Sequence, residues 1–99
     1  MTTHPLLVVR VDIAPALETE WNQWYDQVHL PEILKVAGFL SGRRYRSVEG
    51  TPKYMTLYEL EGVQAYYSEA FNKAKGWGKF LSQISNKSLN VYEPLPPDH

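Results

Sequence analysis

WNQWYDQVHLPEIL, residues 21–34, combines three aromatic side chains, an acid, a histidine and a proline in one segment with helical spacing of its apolar residues. That spacing predicts an amphipathic helix, whose apolar stripe comprises Leu17, Trp21, Trp24 and Val28. A more polar stripe of Tyr25, His29 and Glu32 runs beside it. Because Pro31 has no N–H to donate, we expect the helix to end or kink sharply around His29–Leu30.

The segments around this helix predict four strands and a second helix. Residues 6–13, LLVVRVDI, form a β-branched run between two prolines, and one face of this strand is wholly apolar and should lie under the helices. Residues 63–74 carry apolar side chains at the spacing of another amphipathic helix. Residues 39–48, 53–60 and 88–95 predict the remaining strands.

The resulting order, β-α-β-β-α-β, is that of a ferredoxin-like α+β fold with a four-stranded antiparallel sheet. At 99 residues the chain has room for one core, so residues 1–99 are expected to form a single domain. Two helices cover only one face of such a sheet. Because the other face carries Leu6 and Val8, we expect two copies to pack sheet against sheet as a homodimer.

Composition excludes several classes of protein. The net charge is −1, with Lys and Arg scattered along the chain, which argues against a nucleic-acid partner. The absence of cysteine excludes disulfides, thiol nucleophiles and thiolate metal sites. No pattern typical of a signal peptide or a membrane span occurs, so no membrane partner and a cytoplasmic localisation are expected. The other histidines, His4 and His99, lie near the ends of the chain, so no metal site is expected.

Residues 20–62 resemble the EthD-like branch of the dimeric α+β barrel superfamily. The matching pattern is W-Y-D-x-x-H-L-P-E on the first helix, G-F at a strand start, R-Y on the second strand and Y-x-x-x-Y-E-L on the third. The resemblance implies a dimeric barrel with a pocket between the helices and the concave side of the sheet. It also implies a role for one histidine near the end of the first helix, which is His29 here.

The same resemblance leaves the reaction open. Relatives include aromatic polyketide cyclases, muconolactone-type isomerases and cofactor-independent quinol-type monooxygenases, and one fold commonly hosts several chemistries. The Trp21-Asn22 pair is expected to lie on the wrong side of the helix for the monooxygenase type, with Asn22 turned outward.

His29 is the candidate catalytic residue. Its ordinary pKa of about 6.5 suits it to give or take a proton near neutrality. We expect its ring to be partly exposed, and the negative end of the helix dipole to favour the imidazolium form. Tyr25 and Glu32 lie one turn to either side of it, and Trp24 is a candidate to line the pocket. The alternative for His29 is a helix cap that bonds only the last free carbonyls, and for Trp24 a core anchor.

Strand residues complete the candidate binding set. An arginine can hold a carboxylate or enolate in a bidentate pair, and tyrosine hydroxyls can stabilise an oxyanion. The candidates are Arg10, Arg43, Tyr45, Tyr54 and Tyr58. Ordinary cross-strand pairing is the alternative explanation for each of them.

Two functions fit these features. The first is a small cofactor-independent enzyme of the cyclase, dehydratase, isomerase or decarboxylase type, with His29 as general acid–base on an aromatic, polyketide-like or lactone substrate. The second is a non-catalytic dimer that binds a hydrophobic small molecule. A cofactor-free monooxygenase remains a further alternative.

Overall fold

A computed structural model describes residues 3–97 as one antiparallel sheet with its helices on one face. The strands are β1 (Leu6–Ile13), β2 (Phe39–Arg46), β3 (Tyr54–Leu60) and β4 (Ile84–Tyr92). Their order in the sheet is β2-β3-β1-β4. The predicted ferredoxin-like α+β fold is therefore confirmed. His99 lies outside the described residues.

Strand β1 forms the centre of the sheet and pairs antiparallel with β3 and β4. Its predicted apolar face is confirmed, because Leu7, Val9 and Val11 are buried against the helices. Val9 lies between Thr56 of β3 and Leu89 of β4. Alternate residues of a strand point to opposite faces, so this register decides which side chains of the neighbouring strands reach the helix side.

The first helix does not end at His29, which corrects the sequence prediction. It comprises α1 (Glu18–Trp24), a π-helical turn (Tyr25–His29) and α2 (Leu30–Leu34) without a break. The Leu30 N–H donates to the Tyr25 carbonyl, five residues back. This wider turn accommodates Pro31, which has no N–H to donate in the next turn.

The π-helical turn also changes which side chains face the core. An extra residue in the turn rotates the following positions relative to a regular helix. Val28, predicted to be buried, is 42% exposed, whereas Tyr25 and His29 are buried. Tyr25 and His29 of the polar stripe thus lie on the inner face of this part of the helix, whereas Glu32 is exposed.

The second helix is shorter than predicted. Residues 63–74 form a 3-10 turn (Val63–Ala65), a break, and α3 (Glu69–Ala74). Ser68 makes the break, because its backbone is extended and its hydroxyl accepts a hydrogen bond from the Phe71 N–H at 3.1 Å. A further 3-10 segment, Gly78–Gln83, leads into β4.

The face of the sheet away from the helices carries the remaining side chains of each strand. We call it the open face. The cross-strand pair of Tyr45 and Met55 and the pair of Val8 and Leu57 lie on it. Within residues 3–97, no helix is long and apolar enough to cross a lipid bilayer.

Candidate functional site

A cavity of about 490 Å³ lies between the helices and the part of the sheet formed by β1, β3 and β4. Most of its wall is apolar or aromatic, with His29 among the few polar groups. Small-molecule sites in proteins have this size and this mixture of side chains. The lining residues are Val9, Tyr25, His29, Ile33, Tyr58, Phe71, Asn72, Lys75, Gly76, Trp77, Leu81, Lys87, Ser88 and Leu89.

His29 is held in the wall by two aromatic rings. Its ring stacks on Trp24, with 4.7 Å between centroids and 11° between planes. It meets Tyr25 edge to face at 4.8 Å. Only 6% of the residue is exposed, and none of the hydrogen bonds found within residues 3–97 involves its ring nitrogens. The ring is therefore oriented by packing, and its nitrogens are available to a ligand.

Burial, together with a smaller effect of the nearby Arg44 guanidinium, lowers the pKa of His29 to about 4. The imidazole is therefore neutral at neutral pH, contrary to the expected imidazolium form. Two features of the fold explain the difference. The helix continues to Leu34, so no helix C-terminus lies at His29, and the side chain is more buried than its position before Pro31 suggested. The continuous helix also removes the capping alternative.

Tyr25 and Tyr58 place a pair of hydroxyl groups in the same cavity. Their oxygens lie 3.1 Å apart in a buried hydrogen bond. Burial raises the pKa of both hydroxyls. Both therefore stay protonated at neutral pH, so at least one O–H of the pair is a potential donor to a ligand oxygen.

Arg44, which sequence reasoning did not single out, lies behind Tyr25 on the helix side of the sheet. Its guanidinium carbon is 4.4 Å from the centroid of the Tyr25 ring and 5.0 Å from that of Trp21. Its Nη1 donates to Asp26 Oδ1, and its Nη2 donates to Asn22 Oδ1, each at 2.7 Å. Arg44 thus ties β2 to the helix and adds positive charge near His29.

A β-bulge determines that Arg44, rather than Arg43, faces the helices. The register of β2 against β3 shifts between Phe39 and Ser41, which adds one residue to β2. Beyond the bulge, Gly42 and Arg44 lie on the helix side, and Arg43 lies on the open face. Sequence alternation had placed Phe39 and Arg43 on one face, and the extra residue separates them.

The predicted site residues fall into three groups. Tyr25, His29 and Tyr58 line the cavity together. Two others lie on the helix side outside the lining: Trp24 supports His29 from behind, and Tyr54 packs on Trp21 at 4.9 Å.

The third group lies away from the cavity. Glu32 is exposed on α2 and does not line the cavity with His29. Arg10, Arg43 and Tyr45 lie on the open face, opposite the cavity, because each alternates with a helix-facing neighbour. These four residues therefore do not line the cavity with His29.

Sequence reasoning missed the far wall of the cavity. Phe71 comes from α3, Leu81 from the 3-10 segment and Lys87 from β4, and Trp77 lies just before the 3-10 segment. The aromatic density of residues 71–80 was the available signal, but the irregular backbone there has no period from which a common face can be inferred.

The position of Asn22 differs from the one expected from the sequence. Asn22 is half-buried and donates to the Tyr54 hydroxyl at 3.0 Å, so it is not turned outward as expected; it nevertheless lies outside the cavity lining.

Within the described part of the chain, no cluster of three or more His, Cys, Asp or Glu residues is placed to hold a metal ion.

The family model DUF4286, a domain of unknown function, matches residues 5–88. The chain belongs to the DUF4286 family. No curated protein sequence matches this DUF4286 chain.

Solved structures share the fold of the DUF4286 chain. The haem degrader MhuD of Mycobacterium tuberculosis, with two haems bound, is 15% identical, covers 93% of this chain and 96% of its own, and has a TM-score of 0.68. An EthD family protein of Bacillus halodurans is 15% identical, covers 92% of this chain and 99% of its own, and has a TM-score of 0.67. SnoaB of Streptomyces nogalater, a cofactor-independent oxygenase, is 12% identical over 96% of each chain, with a TM-score of 0.69. These similarities confirm the predicted ferredoxin-like α+β fold, and one of these structures is that of an EthD family protein.

Proposed function

We propose that the DUF4286 chain is a small cofactor-independent enzyme that binds an apolar small molecule and uses His29 as a general acid–base. The observation that carries this proposal is a neutral, buried imidazole in the wall of an apolar cavity, with no hydrogen bond to its ring nitrogens within residues 3–97. A histidine that served only the core would be expected to satisfy its nitrogens with protein partners. The substrate class we propose is aromatic, polyketide-like or lactone.

The cavity wall can support proton transfer next to a carbonyl group. Neutral His29 accepts a proton from an acidic C–H or O–H of the bound substrate, and the negative charge then develops on a substrate oxygen. A hydroxyl of Tyr25 or Tyr58 can donate to that oxygen. One positioned acid–base residue contributes about 10²–10⁴-fold to a rate. Cyclisation, dehydration and isomerisation begin with such a step, whereas decarboxylation forms the same enolate by loss of CO2 and then takes up a proton.

The low pKa of His29 matters for the direction of transfer. At about 4, it keeps the imidazole unprotonated in the empty cavity, so the ring enters the reaction as a base. Its basicity rises when an anion forms beside it, because the imidazolium then has an opposite charge as partner. The residue can return the same proton to another atom of the intermediate.

A matched pair of variants tests this function. His29→Phe keeps an aromatic ring against Trp24 and removes both nitrogens, whereas His4→Phe makes the same exchange outside the cavity. A thermal-shift screen of phenols, β-keto acids, lactones and quinones first identifies a class that binds, since a ligand at 100 times its Kd stabilises the fold by about 2.7 kcal/mol. Turnover of that class is then measured for each protein.

We expect His29→Phe to lower turnover by about 100-fold or more with little change in affinity, and His4→Phe to change neither. Wild-type binding without turnover would instead establish the non-catalytic binding protein. Oxygen consumption during turnover would identify the monooxygenase alternative. If His29→Phe has the same turnover as the wild type, His29 is not the general acid–base.

We also propose that the DUF4286 chain forms a homodimer through the open face. The support is that apolar side chains, among them Leu57 and Tyr45, lie on a sheet face that no helix of the described residues covers. Sedimentation velocity should give twice the 11.4 kDa chain mass for the wild type. Leu57→Lys should sediment as a monomer, and Gln23→Lys, on the exposed side of α1, should remain a dimer. A monomeric wild type would exclude the proposal.

The cytoplasmic localisation stays a prediction.

A further inference from the structure

The charged side chains of the cavity wall are all of one sign. Besides the neutral His29, the lining residues with an ionisable head group outside the tyrosines are Lys75 and Lys87, and no Asp or Glu of residues 3–97 lines the cavity. The whole chain carries 11 acidic and 10 basic residues, so this bias does not follow from composition. An anion inside the cavity would meet positive charge and no fixed negative charge.

Lys75 and Lys87 also differ from several other lysines in their partners. Lys73 pairs with Glu69 at 3.3 Å, and Lys79 pairs with Glu20 at 3.5 Å. Neither Lys75 nor Lys87 belongs to an ion pair within residues 3–97. Their ammonium charges are therefore not neutralised by the described part of the protein.

Instead, each of these two lysines lies over an aromatic ring of the cavity wall. Lys75 Nζ is 5.9 Å from the centroid of Phe71, and Lys87 Nζ is 5.9 Å from that of Trp77. This contact favours an ammonium position beside the apolar wall. Both lysines are exposed, so they lie where the cavity meets solvent.

Two backbone irregularities position these side chains. Gly76, between Lys75 and Trp77, has φ +111°, which turns the chain after α3. In β4, a β-bulge falls between the partners of Arg10 and Asp12 on β1, and Asn86 in this bulge has φ +52°. The Asn86 side chain donates to Asp12 Oδ2 at 2.8 Å, which anchors the bulge next to Lys87.

Trp77 contributes another polar group without a hydrogen-bond partner in residues 3–97. The Trp77 residue is 8% exposed and lines the cavity, and its indole Nε1–H is buried without a hydrogen-bond acceptor in residues 3–97. Leaving a buried donor unpaired is unfavourable.

We propose that this cavity selects apolar molecules that carry an anionic group, with a carboxylate bound at Lys75 and Lys87 and the apolar body directed inward toward His29. The inference rests on the proposed function, because it assigns a substrate class to the same cavity. It adds that a neutral analogue of equal size binds more weakly, and that the difference resides in the two lysines.

Two probes that differ only in charge test the proposal. We would use isothermal titration calorimetry with 2-naphthylacetate and with 2-(2-naphthyl)ethanol, against wild type, Lys75→Met and Lys87→Met. Methionine keeps most of the length of the lysine side chain without the charge. Lys35→Met, on the far end of α2 and outside the cavity lining, is the matched control.

We expect each cavity substitution to weaken 2-naphthylacetate by about fivefold at low salt, with a smaller effect at high salt. The alcohol should bind all four proteins equally, and Lys35→Met should behave as wild type. If both probes bind the wild type but the cavity variants do not change the acid, the anion proposal fails and the apolar cavity stands. If neither probe binds the wild type, the proposed small-molecule function fails as well.

Discussion

The imidazole of His29 lies flat on the indole of Trp24, 4.7 Å away and 11° from parallel. Tyr25 closes a second side of the imidazole, edge to face. Trp24, Tyr25 and His29 lie close in sequence, but a regular helix would not bring their rings together in this way. The π-helical turn (Tyr25–His29) does so, and it orients His29 into the cavity wall.

Acid should destabilise the protein through His29. Its pKa is about 4 in the folded protein, whereas the unfolded value is near 6.5, so the unfolded state binds the proton more readily. The stability from the neutral form is complete above pH 6.5 and is lost as the pH falls toward 4. The expected loss is about 3 kcal/mol. Urea unfolding of wild type and His29→Phe across this range measures it.

The comparison with His29→Phe separates this residue from the carboxylates, which titrate in both proteins. The difference in unfolding free energy between the two proteins should change by about 3 kcal/mol over the range. A difference that stays constant with pH would mean that His29 has an ordinary pKa in the folded protein.

Arg44 should set part of the His29 pKa. Arg44→Met removes the nearby positive charge that disfavours the imidazolium, so the pKa of His29 should rise. The loss of the bonds to Asn22 and Asp26 should also cost about 2 kcal/mol of stability. NMR titration of the His29 ring and urea unfolding measure the two effects.

Arg43→Met is the matched control for Arg44→Met. It removes the same charge one residue away, on the open face of the sheet. We expect no shift in the His29 titration and a stability change within about 0.5 kcal/mol. Equal effects of the two substitutions would show that β2 does not have the register described.

The hydroxyl pair of Tyr25 and Tyr58 should behave as a coupled unit. Tyr25→Phe or Tyr58→Phe leaves the other buried hydroxyl without this partner and should cost about 1–2 kcal/mol. The double variant should cost less than the sum, because no unpaired hydroxyl remains. Thermal and urea unfolding of the four proteins give this coupling directly. Additive costs would exclude a hydrogen bond between them, and Tyr45→Phe on the open face should have almost no effect.

Gly38 should tolerate alanine less well than Gly76. Both have positive φ, +92° and +111°. A Cβ at Gly38 would lie 2.7 Å from the Ala65 Cβ, whereas a Cβ at Gly76 would meet nothing within 4 Å. Each alanine should cost about 1–2 kcal/mol for backbone strain, and Gly38→Ala more because of the clash. Equal melting temperatures for the two variants would contradict this packing of the turn before β2.

The sequence alone predicted the architecture well. Alternation in residues 6–13 identified the buried face of β1, because period-two burial is a property of any half-covered strand. It also brought forward Tyr25, His29 and Tyr58, which the structure places in one cavity. The sequence pattern gave the wrong face where a segment contains one extra residue. At the π-helical turn, Val28 is exposed instead of buried. At the β2 bulge, Arg44 faces the helices instead of Arg43.

The local pattern of the chain therefore determined the strands, the helices, their order and the first candidate residue. Tertiary structure decided the charge state of His29, because desolvation and the Arg44 charge come from packing against other elements. It also decided the far wall of the cavity, where Lys75 and Lys87 approach from α3 and β4. The local sequence determines the secondary structure of a segment, whereas the charge state of a buried side chain depends on which distant segments lie next to it.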